Sequence, residues 1–263
     1  MQSPPPLRVT VWHEYRHEKN NEQIRGLYPD GMHTVMREAI EEQTQAHFPR
    51  AVEVTLAALD DDDRHGLSKE RLEQTDVLVW WGHMAHGDVS DEVVADVCES
   101  VRGGMGFVAL HSSHYCKPFK TLLGTGGHLR WRAVGERERL WCVRPGHALV
   151  AGIDKDYIEV PNAEMYGEPF DIPDPDELVL VSWFEGGNIF RSGCVFNRGA
   201  GKIVYLRPGH EEYPIYYQPE IRRLLTNAVH YAAPVADTAA YFHECRKNYD
   251  TLETIRTPNP VGG

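Results

Sequence analysis

In the first half of the chain, apolar residues gather in short continuous runs, and the stretches between them repeat at helical spacing. Leu7 to Trp12 (LRVTVW) is rich in β-branched residues and predicts a first strand. A polar loop follows, ending in the turn signal Tyr28-Pro29-Asp30-Gly31. From Met32 to Phe48, the residues Val35, Met36, Ala39 and Ile40 share one helical face. Val52 to Leu59 predicts a second strand. The acidic run Asp60 to Asp63 after it lacks the spacing and glycine of a calcium loop, and reads as a solvated turn. Ser68 is placed to cap a short helix ending near Gln74, and Asp76 to Trp81 predicts a third strand. Ser90 caps a helix with Asp91 and Glu92 in its first turn and Val93, Val94, Val97 and Val101 on its buried side. Gly103-Gly104 stops that helix, and Gly106 to Leu110 predicts a fourth strand. Apolar strands alternating with amphipathic helices imply a parallel sheet covered on both faces. Right-handed crossovers then put the strand C-terminal ends on one edge.

The second half has a different rhythm. Arg139 to Val143, Tyr157 to Val160, Glu177 to Phe184, Cys194 to Asn197 and Lys202 to Leu206 are strand-like and joined by short turns, clearest at Gly186-Gly187 and Gly199-Ala200-Gly201. A last helix, Pro219 to Ala232, opens on proline and aligns Ile221, Leu224, Leu225, Ala228 and Val229. The prediction is an α/β, flavodoxin-like, mostly parallel sheet flanked by helices, with an antiparallel extension in the second half. It is expected as one domain over residues 1–263, with a core of about 7–233 and a C-terminal extension and tail at 234–263.

Composition narrows the function classes. An apolar fraction of 41% with 25% charged residues allows a full core and argues against disorder. A formal charge of −12 disfavours nonspecific nucleic-acid binding. No apolar run reaches membrane-spanning length, and Met1 to Leu7 lacks the basic-then-apolar order of a signal peptide, so a cytoplasmic location is expected. Cys98, Cys116, Cys142, Cys194 and Cys245 are odd in number and form no CxxC, which argues against a disulfide framework or a cysteine zinc site.

The fourteen histidines carry more information because of where they fall. His13 and His17 follow the first strand, His83 and His86 the third, His111 and His114 the fourth, and His210 the late strand at Lys202 to Leu206. Ligands of an open parallel sheet bind beyond the strand C-terminal ends. Imidazole there titrates near neutrality and binds borderline metals, so the segments read as a shared polar site. No HExxH is present, so nothing in the spacing selects a ligand set. Glu164 follows a strand-like stretch, and a carboxylate there suits either a general base near the imidazoles or a plain surface position. The segment containing Lys117, Phe119, Lys120, Leu129, Arg130, Trp131 and Arg132 suits packing over a sugar ring, or equally a lid or an interface. No GxSxG elbow occurs, and Gly124-Thr125-Gly126-Gly127 lacks the Lys-Ser/Thr of a P-loop. Because histidine and charge, not glycines, follow the first strand, no nucleotide cofactor is expected.

Several segments together resemble the ThuA-like, or trehalose-utilisation, family. Gly103-Gly104-Met105-Gly106-Phe107-Val108-Ala109-Leu110-His111 is similar to its glycine-glycine-strand-histidine signature. Ala163-Glu164-Met165-Tyr166 resembles its Glu-x-Tyr element, and Gly201 to His210 its late strand ending in Gly-His. Glu14 to Glu18 and Trp183 to Gly187 resemble the trehalose-utilisation branch itself, and the likeness runs from about Val9 to Ala233. It implies a fold like the class I glutamine amidotransferases, and work on trehalose or related disaccharides, as 3-keto-glycosides made by a partner sugar oxidoreductase. The amidotransferase nucleophile falls where this chain has His111-Ser112-Ser113, and Cys116 lies several residues later.

The leading expectation is acid/base chemistry next to a sugar carbonyl, with Glu164 and His210 as acid/base candidates. Tyr166, Lys117 and Arg132 are the substrate-binding candidates. His17, His83, His86 and His111 would hold zinc or another divalent metal, or bind hydroxyls. A noncatalytic sugar-binding accessory protein and a cysteine hydrolase using Cys116 are the competing expectations. A homo-oligomer is left open.

Overall fold

The structure is a computed structural model that describes residues 4–235. Most of the extension expected from 234 onward, and Cys245 with it, lies outside the described residues.

The first half alternates as its periodicity predicts: β1 (Leu7–His13), α1 (His17–Asn20), α2 (Glu22–Leu27), α3 (Met32–His47), β2 (Val52–Ala58), α4 (Lys69–Glu73), β3 (Val77–Trp81), α5 (Asp91–Arg102) and β4 (Gly106–Leu110). The second half comprises α6 (Lys117–Leu123), β5 (Arg130–Cys142), β6 (Tyr157–Gly167), β7 (Glu177–Phe184), β8 (Ile189–Arg198), β9 (Gly201–Leu206) and α7 (Pro219–Ala232). All nine strands form one sheet in the order β2-β1-β3-β4-β9-β8-β7-β5-β6. Strands β2, β1, β3, β4 and β9 are mutually parallel, and every pairing beyond β9 is antiparallel. The fold is therefore mixed α/β with a mostly parallel first half.

Strand order reverses between β1 and β3, which makes that crevice the switch point of the sheet. Right-handed crossovers put α3 and α5 on opposite faces, and α7 packs against α3. Strands β3 and β4 are buried at every position, as strands covered on both faces must be. Trp12 and Trp80, neighbours in register on β1 and β3, stack at 3.8 Å.

Two departures matter for the site. The loop expected after β1 contains α1 and α2; α2 is capped by Asn21, whose side chain accepts from the Gln23 and Ile24 amides. Such short helices bury too few apolar residues to show a period. The strands expected at Arg139 to Val143 and Tyr157 to Val160 are longer, β5 starting at Arg130 and β6 running to Gly167. Register shifts beside Glu136 accommodate Pro161, which would break a regular ladder. The cysteines agree with the expectation against disulfides: Cys98, Cys116 and Cys194 are buried free thiols, and Cys142 is partly exposed.

Candidate functional site

The parallel strands deliver their following residues to one edge. Glu14 and His17 follow β1, His83 follows β3, His111 follows β4, and His210 and Glu211 follow β9. The remaining wall comes from the antiparallel half. Residues 138–142 of β5 pair with β7, but 130–136 pair only with β6, so this part of the β5–β6 ribbon has no third strand. It carries Glu164 and Tyr166 to the β4 end, where Tyr166 stacks on the His111 ring at 4.9 Å.

His111 is the first residue after β4 and has φ of +52°, the left-handed region that non-glycine residues rarely enter. It therefore occupies the sharp strand-to-helix turn at which a nucleophile elbow projects its side chain. Its Nδ1 donates to the Arg207 carbonyl at 3.0 Å, leaving Nε2 toward Glu164 and Tyr166. Around that Nε2 lie Glu164 Oε2 at 3.2 Å and the Tyr166 hydroxyl at 3.3 Å. His210 Nε2 is 3.7 Å from the same Glu164 oxygen. The Glu212 amide donates to His210 Nδ1 at 3.2 Å, so the His210 proton sits on Nε2 and points at Glu164. Glu164 Oε2 is buried and accepts no hydrogen bond. This removes the surface alternative for Glu164: it is 5% exposed.

A second group adjoins the first. His83 Nδ1 lies 2.9 Å from His17 Nε2 and 3.3 Å from Glu211 Oε1, and the His83 ring is 6.4 Å from those of His111 and His210. Glu14, fully buried, accepts from the amides of His83, Met84 and Ala85 at 2.6, 2.9 and 3.0 Å, which fixes the turn that presents His83.

Charge is shared unevenly across these groups. Burial disfavours the charged form of Glu211, but the His83 hydrogen bond and the His210, His83 and His17 rings hold it well below the usual carboxylate range. Burial likewise opposes charge on His83, yet Glu211, Glu164 and Glu14 raise its pKa. Glu164 is lowered, because His111, His210 and His83 outweigh its burial. His210 is pushed down to about 4 by burial and by His111, so it is neutral at pH 7. The result is an ionised Glu164 beside a neutral imidazole that can donate.

Two sets of three could each hold a metal ion: His17, His83 and Glu211, and His111, Glu164 and His210, each with donor atoms within 4.8 Å of one another. The four histidines named as ligands from sequence are thus divided. His17 and His83 come together, His111 belongs to the other set, and His86 joins neither. The His86 ring lines the cleft instead, tilted against Tyr115 at 5.9 Å.

The cleft has a volume of ≈450 Å³ and a lining that is part acidic and imidazole, part apolar. Tyr166, Glu164 and His210 line it. Lys117 and Arg132 do not. The Lys117 ammonium binds the Val89 carbonyl and Asp91, and the Arg132 guanidinium binds Glu136 and Asn188. Cys116 is also outside the lining; its thiol is 1% exposed, and burial raises its pKa. Sequence reasoning missed Glu14 and Glu211 as parts of the site. The one available signal was adjacency, since each sits beside a strand-end histidine.

The family profile described as "ThuA: Trehalose utilisation" matches residues 8–232. No curated protein matches the chain in sequence. Among solved structures, a ThuA-like protein from Parabacteroides merdae superposes with a TM-score of 0.61 at 15% identity, covering 86% of this chain and 90% of that one. A ThuA-like protein from Bacteroides uniformis gives 0.59 at 14% identity, over 87% and 91%. PurLQS from Thermotoga maritima gives 0.51 at 12% identity, over 86% and 99%, which extends the fold likeness to the glutamine amidotransferase type. With 8–232 matched in one unbroken stretch, the chain belongs to the ThuA (trehalose utilisation) family.

Proposed function

We propose that this protein, within a role in trehalose utilisation, is an enzyme that moves a proton next to the carbonyl of a 3-keto-glycoside. The observation that carries the reading is Glu164 Oε2, a buried carboxylate oxygen without a hydrogen bond that faces the cleft between His111 and His210. A carbon flanking a sugar ketone is acidic, and an ionised carboxylate in hydrogen-bond reach is the base it needs. Glu164 takes that proton, and the C–H electron pair moves toward the carbonyl. The Nε2–H of His210 is the donor available to the oxygen that gains charge, while the Tyr166 hydroxyl donates to His111 Nε2.

The residues also fit a divalent ion such as zinc. Imidazole nitrogen and carboxylate oxygen are its usual donors, and the 2.9 and 3.3 Å separations around His83 Nδ1 are close to a tetrahedral edge, about 3.3 Å for zinc. Glu211 Oε2, buried without a partner, is a further donor that nothing else satisfies. His17, His83 and Glu211 would hold the ion, which would act as a Lewis acid on the substrate oxygen. The keto group must be supplied by a sugar oxidoreductase acting earlier.

The test is turnover of 3-ketotrehalose by wild type and Glu164→Gln, alongside metal analysis of the purified protein. Glu164→Gln is expected to lower kcat by roughly 10²–10⁴-fold. Full activity in that variant removes Glu164 from the chemistry. Binding without turnover in wild type supports the noncatalytic accessory reading instead.

A further inference from the structure

Trp131 is 65% exposed, unusual for the largest apolar side chain, and it lines the same cleft as Glu164. The register of the β5–β6 ribbon explains its position. Trp131 is the direct cross-strand partner of Tyr166, so the two side chains leave the same face of the ribbon. Glu164 is two residues before Tyr166 on β6 and shares that face, about 6.8 Å away along the strand. One face of two paired strands thus presents the base, the hydroxyl beside it, and an aromatic surface one side-chain row away from the reacting position. Tyr115 lines the same cleft and lies between His86 and His128, with ring centroids 5.9 and 5.6 Å away. The Lys120 ammonium covers one face of the Tyr115 ring at 3.8 Å, and the same cleft is lined by Glu164, Glu211 and Glu212.

We infer that Trp131, with Tyr115, forms a subsite for the second pyranose ring, so that the protein selects disaccharides over one-ring glycosides. The apolar face of a pyranose packs on an indole, while its hydroxyls remain in water at the open mouth. The step from Tyr166 to Trp131 is a cross-strand spacing of about 5 Å, which matches the offset between two linked sugar rings. The inference rests on the proposed reading of Glu164 as the group beside the reacting ring, and it adds what recognises the rest of the substrate.

The experiment measures calorimetric affinity for 3-ketotrehalose and for methyl 3-keto-α-glucoside, in the Glu164→Gln background so that the ligands persist. Trp131→Ala, Trp131→Phe and unaltered Trp131 are compared, each checked for native circular dichroism. Trp131→Ala should weaken the two-ring ligand by about tenfold and the one-ring ligand by less than twofold, with Trp131→Phe recovering most of the loss. Equal weakening of both ligands, no weakening of either, or no preference for two rings with Trp131 intact overturns the inference. If the Glu164→Gln background still consumes the ligands, the acid/base reading fails separately, and the same ratio is read from KM.

Discussion

Arg207 is fully buried, and three of its contacts join the sheet core to the site. Its guanidinium pairs with buried Glu138 and donates to the Glu164 carbonyl at 2.7 Å, while its own carbonyl accepts from His111 Nδ1. Removing one member of such a pair leaves an uncompensated charge in a low-dielectric interior. Arg207→Met is therefore expected to lower unfolding free energy by about 3–5 kcal/mol in urea titrations. Adding Glu138→Leu should recover a large part of that loss, and a double variant no better than the single one would count against a charge-pair origin. Residue identity alone signalled little of this. An arginine before a Pro-Gly-His turn reads as a loop cation, and only the antiparallel half places Glu138 against it. Glu164 is the same kind of case: its sequence surroundings also fit an exposed position, and the unaccompanied end of a bulged ribbon buries it.

Among the elements, β4 and α7 approach closely at the start of β4, the end of the strand away from the site. Gly106 opens β4, and a Cβ at that position would lie 2.4 Å from the Ala232 carbonyl oxygen, a backbone atom that cannot move without shifting α7. Gly106→Ala should destabilise the protein by about 1–3 kcal/mol through overpacking, seen as a lower urea midpoint with an unchanged slope. A neutral result would mean that α7 tolerates displacement. This glycine was legible in the sequence as part of the Gly-Gly-strand-His segment, because a helix stop followed by a strand start is local chemistry. The helices α1, α2 and α6 were not legible. Each is seven residues or shorter, so caps and tertiary contacts hold them where no period can be read.

At the scale of the whole molecule, buried neutral histidines tie stability to pH. Burial lowers His13 well below its ordinary value of 6.5, with His33 and His17 adding to the effect. His33 is pushed down to about 4 by burial, which Asp61 opposes and Arg37 and Lys19 reinforce. His114, whose Nδ1 donates to the Gly127 carbonyl, falls to about 3, mainly by burial. These values lie below that of an unfolded chain, so between about pH 6.5 and 4 the unfolded state binds more protons. Their contribution is complete above about pH 6.5 and is lost as pH falls toward 4. Urea midpoints should decline over that window, with uptake of more than one proton per molecule unfolded. A midpoint that stays flat from pH 7 to 4.5 would argue that these rings are solvated in the folded state.

The alternation of strand and helix, the parallel half, the antiparallel extension and the histidines at four strand ends were determined by the sequence itself. Periods of 2 and 3.6 and turn residues are local properties, and strand C-terminal ends follow from crossover handedness. The tertiary structure decided how those histidines divide into two groups, why His86 stands apart, and which carboxylates face them. It also took Lys117 and Arg132 out of the cleft and put Trp131 into it. Those outcomes depend on register and on bulges between strands distant in sequence, where one residue of slip reverses a side chain's face.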